Sequence, residues 1–419
     1  MNKVIYYIVF ATIITVNFLS AQNGAVYSRF GIGDLVNSPT AYRIGFGELG
    51  SAVIDKDYID GYNPASWTNL EFTRLGISAR YLGTSSSNGN SSIFHSNVVF
   101  SGFTIGFPIQ KDLGISLAIG LIPVSALNYN ISNSLNNSFL GDYVETFKGS
   151  GSLSKVFIGS SVLVPTNASI GLALEYYTGT NNYLSSQDFV SNSKFKDISY
   201  ETQYKYRGMG STFSVISGNI FDLFDNSESS NNSVLRFSAI ANFKSELTTD
   251  TSIVATTSIG KIENLIGEVK TVLPSKFTFG TSYGWNDKYL IILDYLFQPF
   301  SKFQFNKKYD NNLKDRIKFS LGFEYKNKSA RMNASMLEKI SYRFGVSYEE
   351  TQYKFNGINI NQYSLHSGIT IPFGDINLID FAIVAGLRGT TDNNLIKEQF
   401  INAAFTLTLG ELWFVREDR

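Results

Sequence analysis

The sequence contains no cysteine, only two histidines and no excess of either charge. Its 419 residues include 35 Lys and Arg against 35 Asp and Glu. Without cysteine there is no disulfide framework, and two histidines leave few ways to build a zinc centre or a Ser-His-Asp triad. Balanced charge argues against a nucleic-acid partner. We therefore predict a protein that is not an enzyme and has no catalytic residue, metal ion or cofactor, with a barrel-shaped hydrolase as the alternative.

Long apolar runs and charged residues are also scarce. Charged residues make up 17 % of the chain, and beyond its start no run of about twenty apolar residues could cross a bilayer as a helix. At the start, Lys3 precedes an apolar stretch over residues 4–19, which is followed by Ser20 and Ala21. This pattern predicts a signal peptide over residues 1–21, with a membrane anchor as the alternative.

Aromatic residues and glycine are abundant instead, with 34 Phe, 24 Tyr and 35 Gly. Such a composition is typical of transmembrane β-barrels, although extracellular β-sandwiches share much of it. Residues 315–326 show the local pattern most clearly. Apolar side chains occupy the odd positions, and charged residues, serine and glycine occupy the even ones. A hydrophobic period of two is that of a β-strand.

Comparable alternation recurs between residues 72 and 409 and gives about fourteen strands, an even number that suits a closed antiparallel barrel. Short turns alternate with long connections rich in Ser, Asn, Thr and Gly, as periplasmic turns and external loops would. The predicted external loops are residues 83–92, 128–142, 180–197, 248–273 and 301–313. Residues 217–233, with a possible short helix at Phe221, and residues 327–337 are long connections on the short-turn side. We therefore predict an all-β transmembrane antiparallel barrel over residues 71–419, located in the outer membrane.

The polar face of the predicted strands carries charges of both signs. Unpaired charges inside a barrel would cost several kcal/mol, so water or an inserted segment must accompany them. A barrel of this size is too wide for its own side chains to fill. The predicted lumen-lining residues are Arg74, Arg80, Arg236, Asp294, Arg316, Lys318, Glu324, Arg343 and Glu349.

Residues 22–70 lack alternation and are rich in Gly, Asp, Asn and Pro, which predicts a plug in the lumen, with a periplasmic extension as the alternative. Gly45, Gly47 and Gly50 match the spacing GxGxxG, but the strand and helix of a dinucleotide site are missing. The acidic turn with Asp55 and Asp57 resembles a calcium loop only loosely, because its spacing differs and the closing glutamate is absent.

Three stretches of this segment resemble the outer-membrane FadL-like superfamily of hydrophobic-compound transporters. They are residues 27–34 (YSRFGIGD), the Gly-rich residues 45–52, and Asn63-Pro64-Ala65 just before the first predicted strand. Residues 363–373, with their Gly-x-x-x-Pro end, are similar to the late strands of that superfamily. The plug motif that we expect comprises Gly45, Gly47, Gly50, Asn63, Pro64 and Ala65.

The resemblance implies a monomeric barrel surrounded by outer-membrane lipid, whose hatch blocks the lumen. It further implies passive uptake of fatty-acid-like hydrophobic small molecules, captured at outer loops and released sideways. Tyr129, Ile131, Leu135, Phe139 and Leu140 form an apolar set in a predicted loop and are the candidate external landing surface. The superfamily also includes structural partners of a type IX secretion translocon, which is the alternative function.

Overall fold

The computed structural model describes residues 25–137, 141–189, 195–223, 233–257, 260–326, 336–374 and 376–411. The predicted signal peptide over residues 1–21 lies outside these ranges, as do Phe139 and Leu140. None of the helices within these ranges is long and apolar enough to cross a membrane.

The described residues form a closed barrel of fourteen antiparallel strands, which confirms the predicted fold class. Each strand pairs with the next along the chain, and the last strand pairs with the first from Thr73↔Glu411 to Ser87↔Lys397. The strands are β1 Thr73–Ser87, β2 Ser92–Gln110, β3 Ile115–Asn137, β4 Gly141–Leu163, β5 Ser169–Phe189, β6 Ile198–Ile216, β7 Ser233–Asn242 continued by Ser245–Thr257, β8 Gly260–Leu273 continued by Lys276–Trp285, β9 Tyr289–Gln298, β10 Arg316–Tyr325, β11 Ser341–Phe355, β12 Ile358–Phe373, β13 Asn377–Arg388 and β14 Lys397–Glu411.

The two faces of each strand meet different surroundings. In β10, Phe319 and Leu321 are 48 % and 47 % exposed, whereas Arg316 and Lys318 are 2 % and 0 % exposed. Similar exposed apolar residues recur around the outer wall. A continuous apolar exterior on a closed barrel is a lipid-facing band, and the in-and-out assignment of residues 315–326 is confirmed.

The prediction of long external loops was wrong over much of its length. Strand β3 runs to Asn137 and β4 starts at Gly141, while β7 and β8 continue as a ladder through residues 245–273. At about 3.4 Å per residue, a strand of 23 residues is far longer than the apolar band of about 25 Å requires. These strands rise out of the membrane, where one or both faces meet water and no hydrophobic period marks them.

One predicted external loop folds inward. Between β9 and β10, a 3-10 helix at Phe300–Lys302 precedes a small hairpin, whose Phe305 pairs with Thr271 of β8. Phe300, Phe303 and Leu313 are buried in a hydrophobic cluster. At the opposite end, the connection after β6 carries a 3-10 helix at Ile220–Leu223, as expected, and the one before β11 carries the helix Met336–Lys339.

Residues 25–72 contain four short elements: a 3-10 helix Val26–Arg29, a strand Asp34–Leu35, a helix Ala41–Ile44 and a 3-10 helix Pro64–Asn69. The short strand pairs with Ser125 and Ala126 on β3. The four-residue helix begins after Thr40, whose side chain accepts from the Arg43 N–H, and glycines 45 and 47 follow it. Much of this segment is buried against the inward face of the wall.

Candidate functional site

The contact between the N-terminal segment and the inner wall is the candidate functional site, and it includes a track of wall glycines. Gly322 on β10 pairs with Gly345 on β11. A Cβ atom on Gly345 would lie 2.6 Å from the Phe46 carbonyl carbon, and one on Gly322 would lie 2.4 Å from the Phe46 oxygen. On β12, a Cβ atom on Gly368 would lie 2.9 Å from the Gly45 Cα. Backbone therefore lies directly on backbone, which only glycine permits.

Asp294 on β9 anchors the turn at Gly50 and Ser51, which follows the helix Ala41–Ile44. Its carboxylate accepts hydrogen bonds from the backbone N–H groups of Gly50 (2.7 Å) and Ser51 (2.9 Å) and from the Ser51 hydroxyl (2.5 Å). Gly50 has a φ of 73°, a left-handed conformation that suits glycine. Gly50, a predicted plug residue, is therefore hydrogen-bonded to Asp294, a predicted lumen-lining residue.

We expect Asp294→Asn to loosen this turn, because charge-assisted bonds become weaker neutral ones, at a cost of about 1–3 kcal/mol. Hydrogen exchange at the Gly50 and Ser51 amides should accelerate in the variant. Asp287→Asn, on the exposed turn between β8 and β9, is the matched control and should leave both amides unchanged. Equal exchange in Asp294→Asn and the parent would contradict the anchoring role.

The Asn63-Pro64-Ala65 motif lies against β5 and β6. The Asn63 side chain donates to the Ser51 carbonyl (2.6 Å), and Pro64 begins a 3-10 helix. The Ala65 N–H donates to the Ser214 hydroxyl (2.8 Å), and a Cβ atom on Gly171 would lie 2.2 Å from that nitrogen. The motif therefore closes the turn at Ser51 and rests on a wall glycine.

Five side chains form a closed polar ring across the contact. Glu48 accepts from Lys318 (2.6 Å), and Lys318 also bonds Glu349 (3.3 Å). Arg316 donates to Glu349 (2.7 Å) and to Asn37 (2.6 Å), and Asn37 donates back to Glu48 (2.7 Å). Three predicted lumen residues are thus joined to two residues of the N-terminal segment.

The charge of Lys318 acts strongly on Glu48. Burial alone would raise the pKa of the Glu48 carboxyl, but the attraction of the Lys318 ammonium, together with smaller contributions from His366 and Arg80, outweighs burial and holds the pKa well below its usual range. A carboxylate with a depressed folded pKa stabilises the folded state above its unfolded pKa of about 4.3, and this contribution is lost as the pH falls.

We therefore expect acidification below about pH 4 to weaken the hold on the N-terminal segment. Protease protection of that segment, measured from pH 7 downward, should fall less steeply in Glu48→Gln, which lacks the titrating group. Glu71→Gln removes an exposed partner of Lys56 and serves as the control with a parent-like profile. Parallel profiles for Glu48→Gln and the parent would contradict this assignment.

A second cluster surrounds Arg343 of β11. Its guanidinium pairs with Glu324 (2.9 Å) and Asp380 (3.4 Å) and lies 4.1 Å from the centroid of the Tyr42 ring. Tyr42 stacks on Tyr58 (3.7 Å), and the Tyr58 hydroxyl donates to Asp380 (3.0 Å). This cluster therefore clamps both tyrosines of the N-terminal segment to the wall.

The carboxylates of the acidic turn pair with basic side chains of the same protein. Asp57 bonds Arg74, Lys326 lies 3.2 Å from Asp55, and Arg43 lies 3.6 Å from Asp60. Across the described ranges, no group of three or more His, Cys, Asp or Glu side chains is arranged to hold a metal ion.

The predicted lumen residues Arg80 and Arg236 line cavities, and a wall histidine bonds the N-terminal segment. Arg80 borders a polar cavity of about 170 Å³ that also contains Glu48, and Arg236 borders one of about 110 Å³. His366 bonds the Ile44 carbonyl through Nδ1 (3.0 Å) and the Ser347 hydroxyl through Nε2 (2.9 Å). Histidine therefore serves as a polar contact between segment and wall.

Some charged residues of the site were not predicted. Lys155 and Glu175 form a buried pair (2.6 Å), and Tyr62 has the Lys155 and Lys276 ammonium groups 4.5 and 4.4 Å from its ring centroid. Arg388 bonds Glu398 (Nε–Oε2 2.6 Å). Glu175 occupies the polar side of an alternating run, so its inward position was visible, but its partner Lys155 on the preceding strand was not.

The predicted external landing surface is not a loop. Tyr129 lies in β3, is 3 % exposed and packs against Gly149, where a Cβ atom would lie 2.1 Å from its ring. Ile131 and Leu135 follow at alternate positions of the same strand, and Leu135 is 40 % exposed. An irregularity in β3 between Pro123 and Ser125 shifts its register, so the odd position of Tyr129 faces the inside of the barrel.

Aromatic residues fill the external half of the lumen. Tyr27 of the segment stacks on Tyr353 (6.1 Å between centroids), and Phe30 packs on Phe355 (4.6 Å). Phe300 and Phe303 of the inward-folded connection join the same cluster. Between segment and wall, two smaller cavities of about 50 and 20 Å³ accompany the two larger ones.

A closed fourteen-strand barrel with an apolar exterior and an N-terminal segment packed inside defines an outer-membrane β-barrel of the FadL-like fold. The chain belongs to the BamG family, whose model matches residues 1–418. No curated protein sequence gives a significant match.

Three solved structures share the fold at low sequence identity. The CymD monoaromatic hydrocarbon channel has 16 % identity and a TM-score of 0.58, over 92 % of this chain and 100 % of that one. The Ralstonia pickettii toluene transporter TbuX has 16 % identity and a TM-score of 0.56, over 90 % and 99 %. A Pseudomonas aeruginosa FadL homologue has 10 % identity and a TM-score of 0.57, over 90 % and 98 %.

Proposed function

We propose that this protein is a non-conducting structural barrel, an accessory subunit of a protein-export complex in the outer membrane, such as that of type IX secretion. The observation that carries the proposal is the filled lumen. The N-terminal segment packs on the wall glycines, and its polar groups are paired with those of the wall in the polar ring around Glu48 and in the cluster around Arg343.

Among the described residues, the cavities between the N-terminal segment and the wall are too small for a hydrophobic conduit. Pockets for small ligands measure about 300–1,000 Å³ and are mostly apolar. The cavity beside Arg80 measures about 170 Å³, and Glu48, Glu349, Arg388 and Glu398 are among its lining residues. A hydrocarbon passing there would strip water from charged groups without replacing their hydrogen bonds, which is costly.

Uptake of hydrophobic small molecules is the second candidate function, and the fold favours it. A monoaromatic hydrocarbon channel and a toluene transporter share the architecture over about nine-tenths of the chain. This function requires the N-terminal segment to move and the aromatic cluster around Tyr27 to open.

Flux measurements separate the two functions. The full mature chain is reconstituted into proteoliposomes, and entry of toluene and of a long-chain fatty acid is measured against empty vesicles and against CymD. We expect entry equal to that of empty vesicles. Entry at the rate of CymD would overturn the structural assignment in favour of uptake.

Membership of a complex needs its own measurement. Outer membranes are extracted in mild detergent, and the tagged protein is followed on native gels and by quantitative cross-linking. We expect co-migration with an export component in fixed stoichiometry. A protein found solely as a free monomer would remove the accessory role.

A further inference from the structure

The outer wall carries an apolar groove of about 1050 Å³. Its lining spans eight consecutive strands, β9 to β14, β1 and β2, which corresponds to about 34 Å at about 4.8 Å per strand. Its outward-facing lining side chains include Phe319, Leu321, Leu365, Ala385, Leu387 and Ile401.

A small residue, Ala385, creates the floor of this groove. In register across the wall, Leu365 pairs with Ala385, Ala385 with Ile401, and Ile401 with Gly83. Leu365 and Ile401 are 65 % and 62 % exposed, and they rise on either side of the small, exposed Ala385. The Tyr81 and Phe94 rings cover Gly83, where a Cβ atom would lie 3.1 and 3.3 Å from them. A closed barrel is otherwise convex outside, so the Ala385 position produces a depression.

The groove is continuous with the lipid-facing band. Phe319 and Leu321 belong both to that band and to the groove lining. Inside the hydrocarbon layer, an empty apolar depression would forfeit dispersion contacts, so it must be filled by apolar material. A second copy of this chain is a poor occupant, because a symmetric dimer would place two depressions face to face.

Packing of an acyl chain in the groove does not distinguish one lipid from another, because lipid tails are as apolar as the groove. Selectivity for a lipid headgroup requires a polar group at the rim. Lys397 lies two residues beyond Gln399 on β14, about 7 Å further toward the external end. Its neighbour Glu398 bonds Arg388 in the lumen (2.6 Å), and Glu350 on the same rim bonds Lys314 (2.6 Å). Within the described ranges, Lys397 itself forms no ion pair.

We propose that the groove binds an acyl chain of an outer-leaflet lipid whose phosphate group bonds Lys397. The acyl chain fills the depression over Ala385, and the ammonium neutralises the phosphate at the membrane surface. This site lies on the outside of the wall and does not depend on whether the lumen conducts.

Lipid retention tests the site on the full chain extracted from outer membranes in mild detergent. Native mass spectrometry and a phosphorus assay give the phospholipid bound per protein. Ala385→Trp fills the groove and should remove most of the bound lipid, whereas Ala239→Trp, an exposed alanine on β7 outside the groove, should retain it. Equal retention in both variants, or none in the parent, would overturn the proposal.

The rim contact has its own variants. Lys397→Gln should lower retention about fivefold, the equivalent of roughly 1 kcal/mol for one lysine at a lipid surface. Lys261→Gln, an exposed lysine on the external part of β8, should have no effect. After its lipid has been removed, the parent should rebind dioleoylphosphatidylglycerol. Dioleoylglycerol has the same acyl chains but no phosphate, and the parent should bind it about as weakly as Lys397→Gln binds the phospholipid. Equal rebinding of both lipids by the parent would remove the phosphate from the proposal.

A photo-reactive side chain placed at Leu387 identifies the occupant directly. We expect adducts with the mass of a lipid. Adducts with a protein would overturn the lipid assignment and replace it with a membrane-embedded protein partner. Heat-modifiable migration on unboiled gels verifies that every variant is a folded barrel.

Discussion

Gly345→Leu is expected to convert the closed barrel into one that passes ions. A Cβ atom at this position would lie 2.6 Å from the Phe46 carbonyl carbon and 2.8 Å from the Gly47 nitrogen. These are backbone atoms that cannot rotate away, so the N-terminal segment must leave the wall. Overpacking of this kind costs about 1–3 kcal/mol or more. Once the segment is displaced, the Glu48 ring loses its geometry as well.

Planar-bilayer recordings measure the result. We expect the parent to remain silent and Gly345→Leu to give stepwise conductance. Gly284→Leu is the matched control on the same inward face, because a Cβ atom there has its nearest neighbour at 3.6 Å. If Gly345→Leu is folded by heat-modifiability and stays silent, the segment does not close the lumen, and the proposed structural role loses its basis.

Alternation alone was enough to predict the barrel, its approximate strand number and its charged interior. Each strand in the band has to place apolar groups in lipid and polar groups inside, so residues 315–326 carry their orientation in their own sequence. Outside the membrane this constraint disappears. In the ladder of β7 and β8 over residues 245–273, nearly every pair contains at least one polar residue, and composition alone made it look like a loop.

The partners of the inward charges could not be read from the sequence. Arg316 bonds Asn37, a residue 279 positions away, and Lys318 bonds Glu48, 270 positions away. Such pairs depend on how the N-terminal segment lies in the barrel. Gly322 and Gly345 were equally visible at inward positions, but their role requires the strand register that places them side by side. The alternation therefore left uptake and a structural role open, and the proposed function rests on these contacts.

Arg343→Met is expected to destabilise the whole assembly by about 3–5 kcal/mol, because removing one partner leaves buried charges uncompensated. The Glu324 and Asp380 side chains are 5 % and 0 % exposed, so neither carboxylate can recover its solvation in water. The Tyr42 ring also loses the cation 4.1 Å from its centroid, and the clamp on the N-terminal segment fails with it.

The temperature at which the barrel loses its heat-modifiable migration measures this effect. We expect a clear decrease for Arg343→Met and almost none for the control Arg207→Met. Arg207 pairs with Asp250 and Glu268 while 50 % exposed, and such surface pairs contribute about 0–1 kcal/mol. Combining Arg343→Met with Glu324→Leu and Asp380→Leu removes the stranded charges and should recover much of the loss. A parent-like transition in Arg343→Met alone would show that water reaches these carboxylates and that the cluster does not hold the segment.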